Sequence, residues 1–356
     1  MLTDRKKQIL NATVSLYIHT AEPVGSKSLL DYCPLDVSSA TVRQELNELE
    51  ADGFLTHVHT SSGRIPTDSG YRLYVDELMA SSPLSVQEHE LISERLDSMS
   101  LHLETALTQV SSLMSSLIDY TTIVMVPTIY QDALKLVHMV LVDINRVLVI
   151  LLHALGVNHE FILTLDDRVA QEDLTKLSQL LTSKLEGLNI QNIPQEFFAE
   201  LISDLPDYRS VLDQLSAEII KLNSHHQSNQ GLLLSGTSKM LKLPEFRNIE
   251  FTQQVLSAVE ENKVLLELLQ RALVQSNTNQ SCFIGKSDHQ VELLDGCSVI
   301  LKPVSIGESY STVIGVLGPT RMSYSAVTSK LTVVSDMVSD YLSQNISKGG
   351  SNGSSY

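Results

Sequence analysis

The chain has 356 residues, 43% hydrophobic and 19% charged, which is globular composition and room for two or three domains. Its 42 Asp/Glu against 25 Lys/Arg give a net charge of −17, which excludes a uniformly basic nucleic-acid binder. The longest apolar run, 147–152, is too short to span a bilayer, and no secretory leader is visible. Three cysteines without a CxxC pair fit a reducing cytoplasm and no cysteine-based zinc site.

The acidity is uneven. Residues 1–75 hold seven Lys/Arg and nine Asp/Glu, a net of −2, so the remaining residues carry −15. Lys6, Lys7, Lys27, Arg43, Arg64 and Arg72 are then available to one face of a nearly neutral head. An acidic body repels DNA and suppresses non-specific sticking, so affinity has to come from a few contacts per head, doubled by dimerisation.

In chain order, a first helix runs from Thr3 or Asp4 to about His19, with Ile9, Leu10, Ala12, Thr13, Leu16 and Tyr17 as its apolar face. Glu22-Pro23-Val24-Gly25 breaks it, and a short second helix follows from Ser26 to Tyr32. Ser38 caps a third helix that meets no breaker before Gly53. At about 100° per residue, Val42, Leu46 and Leu49 share a narrow buried arc. Ala40, Gln44 and Asn47 lie opposite, flanked by Arg43 and Thr41. That outward set suits a major-groove reader: Arg pairs with guanine O6/N7, Gln or Asn with adenine N6/N7, and Ala meets a thymine methyl.

The alternating run Phe54 to His59 is a strand, Ser61-Ser62-Gly63-Arg64 a turn with one cation at its tip, and Thr67 or Asp68 caps a further helix to Met79. Helix, strand, turn and strand make a winged helix-turn-helix, with Arg64 placed to reach a phosphate or the minor groove. Residues 80–83 (Ala-Ser-Ser-Pro) form a linker. From Ser85 to Tyr120 a single long helix is expected, because Ile92, Leu96, Met99, Leu103, Ala106, Val110, Leu113 and Leu117 alternate spacings of four and three. The seam serves either a two-chain coiled coil or one helix lying along its own domain, since Leu101, Leu107 and Met114 widen it.

Strands are expected near 122–126, 134–142, 146–152 and 160–165, then helices over 171–186, 194–203 and 208–224. A helix over 251–275 precedes strands near 282–285, 297–303 and 310–317, and a terminal helix covers 324–344. Strands, about a hundred residues of helix, then strands again describe one α+β domain interrupted by a helical insertion.

Reactive constellations are scarce. His57 and His59 share a strand face without an obvious third metal ligand, and His225-His226 read as solvated. His138, His153 and His159 read as core or edge residues. The Gly318-Pro319-Thr320-Arg321 turn is either a phosphate cradle at a helix N-terminus or the site of an internal salt bridge. No nucleophile–base pair and no Walker lysine is present, so neither an enzyme nor a cofactor-binding protein is expected.

Residues 37–43 (Val-Ser-Ser-Ala-Thr-Val-Arg), 59–67 (His-Thr-Ser-Ser-Gly-Arg-Ile-Pro-Thr), 70–74 (Gly-Tyr-Arg-Leu-Tyr), Gly236-Thr-Ser238 with Pro244-Glu-Phe246, and 318–324 (Gly-Pro-Thr-Arg-Met-Ser-Tyr) resemble the HrcA family of heat-inducible transcription repressors. The resemblance runs from about Leu2 to Leu342, with a departure at Lys286-Ser287-Asp288 after Ile284-Gly285. It implies an α+β multidomain chain: winged-helix head (1–82), GAF-like domain (83–167 and 251–346), inserted mainly helical dimerisation domain (168–250) and a disordered tail (347–356). It further implies a cytoplasmic homodimer on double-stranded DNA carrying an inverted-repeat CIRCE operator, dependent on a GroEL-type chaperonin. Ala40, Arg43, Gln44 and Asn47 would read bases, Lys27, Ser38 and Thr41 would hold phosphates, and Arg64 would anchor the wing. The alternative is a regulator controlled by a small molecule in the GAF-like domain.

Overall fold

The computed structural model describes residues 2–33, 37–57, 63–100, 103–126, 133–153, 158–166, 168–225, 231–261, 263–275, 280–285, 288, 294–306 and 310–349. The chain divides into two units, Met1–Ser98 with Gln109–Met125 and Leu232–Tyr341, and Met99–Thr108 with Val126–Gly231 and Leu342–Tyr356.

The first unit begins with α1 (Asp4–Thr20), whose Thr3 cap accepts from the Lys6 N–H, then α2 (Ser26–Tyr32) and α3 (Ser39–Ala51). An antiparallel pair follows, β1 (Leu55–His57) and β2 (Arg64–Pro66), with Leu55 opposite Pro66 and His57 opposite Arg64. Val24 adds a third backbone rung, exchanging 2.8 Å hydrogen bonds with Arg64. The rest of the expected wing, Val58 to Ser62, lies outside the described residues. Then α4 (Asp68–Leu73) runs into a π turn over Tyr74–Leu78. Ile9, Leu10, Leu29, Val42, Leu49 and Leu55 form the buried centre of this head.

The stretch expected as one helix over 85–120 is two, α5 (Val86–Asp97) and α6 (Leu103–Leu117). The Ser98 hydroxyl donates back to the carbonyls of Glu94 and Arg95 at 3.3 and 3.1 Å, the local competition that makes serine a poor helix propagator. Ile92, Leu96, Met99, Leu103, Ala106, Val110 and Leu113 are all buried within this one chain, so the seam is intramolecular and not a two-chain coiled coil.

After β3 (Thr121–Met125) the chain enters the second unit. There β4 (Leu134–Asp143), β5 (Arg146–His153) and β6 (Asn158–Thr164) form their own three-stranded antiparallel meander. With α7 (Gln171–Leu185), α8 (Gln195–Asp204) and α9 (Arg209–His225) they share one core around Met139, Val149, Leu181 and Leu215. The insertion therefore spans about 126–231 and carries a sheet, in place of a mainly helical segment at 168–250. The strands belong to it because their apolar faces are complemented by helices α7–α9. Both sheet edges are capped by side chains. Thr182 Oγ1 bonds both backbone groups of Val137, Gln171 bonds Leu141 N–H and Met139 C=O, and Gln214 bonds both groups of Thr164. Side-chain capping of an edge blocks pairing with another strand.

The chain returns through β7 (Leu232–Ser235), α10 (Thr237–Met240), α11 (Ile249–Glu260), α12 (Lys263–Gln275), β8 (Ser281–Ile284), β9 (Cys297–Ile306), β10 (Tyr310–Pro319) and α13 (Tyr324–Gly349). The expected single helix over 251–275 is thus two, and α13 extends to 349, into the segment expected to be a disordered tail. Beyond the β1–β2 pair, five strands of the first unit pair antiparallel in the order β7-β3-β10-β9-β8. One face, with Cys297, Val299 and Leu301, packs on α11 and α12. The alternate face bonds α13 through Ser298 to Tyr324 at 2.8 Å and through Lys302 to Asp336 at 2.8 Å.

Helix α5 is fastened to α13 by Glu88, 2.8 Å from Lys330 Nζ and accepting from both donors of its own cap, Ser85. The Lys330 hydrogen bond, with the Ser85 donors, lowers the Glu88 carboxyl from about 4.5 to about 2. A depressed folded-state value stabilises the fold fully above the unfolded value and loses that contribution as pH falls toward 2. Glu88→Gln is therefore expected to lower the melting temperature at pH 7, with the gap to wild type closing between about pH 4.5 and pH 2 in a thermal-denaturation series.

Candidate nucleic-acid interface

Helix α3 has its expected cap and termination. Ser38 Oγ accepts from the Thr41 N–H at 3.1 Å, and Gly53, at φ +83°, turns the chain out of the helix in a conformation that other residues rarely adopt. Val42, Leu46 and Leu49 are buried and anchor α3 in the head. Ser38, Ala40, Arg43, Gln44 and Asn47 are exposed together, and Thr41 is half-exposed on the flank. Burial of one stripe thus fixes which side chains α3 offers outward.

The N-terminal turn of α3 is tied to α2 by the Ser26 and Ser39 hydroxyls, 3.0 Å apart. This gathers Ser26, Ser38, Ser39, Thr41 and the exposed Lys27 near a helix end that carries partial positive charge. Ser26 and Ser39 were not singled out from sequence. Their signal was available, since each sits at the first residue of its helix.

The head's cations are mostly engaged. Lys6 Nζ lies 3.1 Å from both Glu48 and Asp52, and Lys7 Nζ lies 2.6 Å from Glu77. These carboxylates raise both lysines above their ordinary values, chiefly through the hydrogen bonds themselves. Arg72 pairs with Asp288, and Arg64 is not a free cation at a turn tip. Its guanidinium lies against α3, with Nε 2.7 Å from Glu50 and Nη2 donating to Asn47 Oδ1 at 2.8 Å. His57 also contacts Glu50, so Glu50 holds the strand pair onto the helix; His59 lies outside the described residues. Gln44 donates to Glu48 at 3.0 Å and Asn47 has one acceptor position occupied. Arg43 and Lys27 are exposed and pair with no carboxylate among the described residues.

Of the other sequence features, Arg321 forms an internal salt bridge with Glu245 rather than lining a free phosphate cradle. Burial pushes the Cys282 and Cys297 thiols up to about 12, which keeps both protonated at neutral pH. His153 and His159 stack edge-on with ring centroids 5.1 Å apart. Among the described residues no group of three His, Cys, Asp or Glu converges as a metal site.

A family model described as HrcA protein C terminal domain matches residues 104–328. The chain belongs to the HrcA family. Relatives named heat-inducible transcription repressor HrcA include those of Desulforamulus reducens, 33% identical over 98% of this chain and 96% of the relative, and Carboxydothermus hydrogenoformans, 34% identical over 97% and 98%. The relative from Moorella thermoacetica is 30% identical over 96% of this chain and 98% of its own length. Among solved structures, a crystal structure of a hypothetical protein matches with a TM-score of 0.65 at 20% identity, covering 97% of this chain and 100% of that one. That likeness speaks for the α+β fold alone.

Ser38→Ala removes the acceptor for the Thr41 N–H and is expected to destabilise the protein by about 1 kcal/mol. Urea denaturation followed by circular dichroism measures it; an unchanged midpoint would mean that α3 does not depend on its cap.

Proposed function

We propose that this HrcA-family chain is a dimeric transcription repressor of chaperone operons that acts by occupying an inverted-repeat operator of the CIRCE type. The observation that carries this is the outward face of α3, where Ala40, Arg43, Gln44 and Asn47 stand exposed over a buried Val42-Leu46-Leu49 stripe. In this reading the first three helices and the β1–β2 pair are a winged-helix head, and α3 enters the major groove. Arg43 and Lys27 supply charge, Ser38 and Thr41 hold phosphates, and Arg64 acts indirectly by fixing Asn47 and the strand pair. The five-stranded sheet with α11–α13 is the GAF-like body. No catalytic role is assigned, and the protein works in the cytoplasm.

Two heads on an inverted repeat require two copies. The insertion offers a surface for that contact. On the face of its sheet away from the Met139–Val149 core, the registers align Val140 with Leu148 and Leu148 with Ile162, flanked by Leu136, Val142 and Ile150. Leu136, Val142 and Ile162 are 39%, 55% and 46% exposed. Exposed apolar surface of this kind, interrupted by His138 and Glu160 on either side of Ile150, suits an association site. Gln171, Thr182 and Gln214 occupy the edges, so association is face to face.

The heat response follows from stability. A repressor that depends on a GroEL-type chaperonin to reach its folded state loses that help when unfolded proteins fill the chaperonin. A shift of only ~1–2 kcal/mol then changes the active fraction several-fold.

Fluorescence-anisotropy titration of the purified protein on an inverted-repeat duplex and a scrambled duplex, across a salt series and with or without chaperonin, tests the whole reading. Operator-selective binding that improves with chaperonin supports it; equal binding to both duplexes at every salt overturns it. Arg43→Ala is expected to cost ~1–3 kcal/mol on the operator and to relax preference at one base pair per half-site. Loss of equal size on random DNA would reduce Arg43 to a backbone contact. Ile162→Lys should convert the dimer to a folded monomer in sedimentation velocity, because the side chain lies outside the chain's own core. An unchanged dimer would place the contact elsewhere.

A further inference from the structure

Within the first unit the head touches the body at a few polar points, and two arginines dominate them. Arg321, in the turn between β10 and α13, donates through Nε and Nη2 to the two oxygens of Glu245 at 2.5 and 3.3 Å. Its Nη1 donates to the Ile18 carbonyl in the last turn of α1 at 2.5 Å. That carbonyl needs an outside donor. The Ala21 N–H closes the last helical bond, to Tyr17, and the Glu22 N–H turns instead to the Thr20 hydroxyl. A guanidinium suits both the orphan carbonyl and the negative end of the helix dipole. At 13% exposure, Arg321 is shielded enough for these bonds to hold one geometry.

The second arginine works in the opposite direction. Arg72, on α4 of the head, reaches the Cys282 carbonyl at 2.7 Å and the Asp288 carboxylate, which also accepts from the Ile284 N–H at 2.9 Å. Asp288 follows Ile284-Gly285 closely in the chain, and it is a bonded partner of the head. Between the two pins Tyr71 of the head and Tyr324 of the body stack at 5.8 Å, both buried. Gly285, at φ +62°, lies so close to Asp68 that an added Cβ would collide with the carboxylate. Beside these contacts, a cavity of about 400 Å³ lies between Asn11, Ser15 and His19 of α1 and Ser323–Ser325 at the start of α13. The head therefore has its own core and is pinned, not fused.

We propose that Arg321–Glu245 and Arg72–Asp288 are positioning pairs that fix the angle at which the body presents the head, and so set the separation of the two reading helices in the dimer. The inference rests on the dimeric DNA-binding reading above. All four residues stand apart from the exposed face of α3, so the pins leave Arg43 and Gln44 free while holding the head in one orientation. Preorganised heads engage a correctly spaced operator as one bivalent ligand; freed heads bind each half-site at their single-head affinity and lose most of the linked gain.

The test is Glu245→Gln with Asp288→Asn in the full-length protein. Both changes remove negative charge, so non-specific attraction to DNA can only rise, which makes a loss of operator binding diagnostic. Anisotropy is measured on a single half-site duplex and on inverted repeats whose half-site separation is varied by inserted base pairs. Wild type is expected to lose about tenfold or more when half a helical turn is inserted, and the double variant only about threefold or less, with half-site affinity no lower than that of wild type. Hydrogen exchange of α4 (Asp68–Leu73), which carries Arg72 and Tyr71, should quicken in the same variant. Gly285→Ala is the second variant: it keeps every charge and pushes on Asp68, and is expected to shift the best spacing. Unaltered spacing dependence in both variants overturns the proposal. If the wild type fails to tell the half-site from a scrambled duplex, the DNA reading fails first and the positioning role with it, even where exchange in α4 still reports the pins.

Discussion

One guanidinium joins three segments that the sequence keeps far apart. Arg321 follows the last strand of the sheet, Glu245 lies in the turn after α10, and Ile18 lies in the last turn of the first helix. Because the arginine satisfies a helix terminus and a carboxylate together, none of the three can shift without leaving an unpaired polar group in a sheltered place, at a cost of about 1–3 kcal/mol. The packing of Tyr71 on Tyr324, the fit of Gly285 against Asp68 and the Arg72–Asp288 pair all presuppose that register. The body thereby acts on the head without contributing to its hydrophobic centre.

Charge explains the character of the interface. In a chain at −17, cations attract carboxylates before they meet any partner, and the head shows this at Lys6, Lys7, Arg64 and Arg72. Arg43 on α3 and Lys27 on α2 are exposed and form no salt bridge among the described residues. A reader with so few free cations gains little from phosphate attraction alone, which drives most non-specific binding. On the dimeric reading proposed above, its discrimination would come from base edges and its affinity from using two heads at once.

The head was the most legible part of the sequence, since each of its features is local. A serine cap, a glycine stop and a buried triplet at helical spacing define α3 within sixteen residues, Ser38 to Gly53. The break between α5 and α6 was hidden because heptad spacing counts residues and is blind to a backbone turn at Ser98. The limits of the insertion were hidden for a related reason. Strands 134–143 and 121–125 have similar β-branched, apolar texture, and nothing in that texture states which sheet each joins. The engagement of Arg64 and Lys6 was equally unreadable, because their partners Glu50, Glu48 and Asp52 lie in a separate element. Sequence listed the cations; only folding revealed which of them were spoken for.

The glutamines and the threonine along the insertion's sheet have a consequence for what heat does to this chain. Thr182 and Gln171 come from α7 and Gln214 from α9, so the guards of both edges sit on helices rather than on the strands they protect. Loosening of α7 strips β4 of its guards and of the Leu174-Leu177-Leu181 cover in the same event. What emerges is a sticky, ribbon-like strand with open rungs and a greasy flank. Such a partly opened chain has the surface features of a chaperone client.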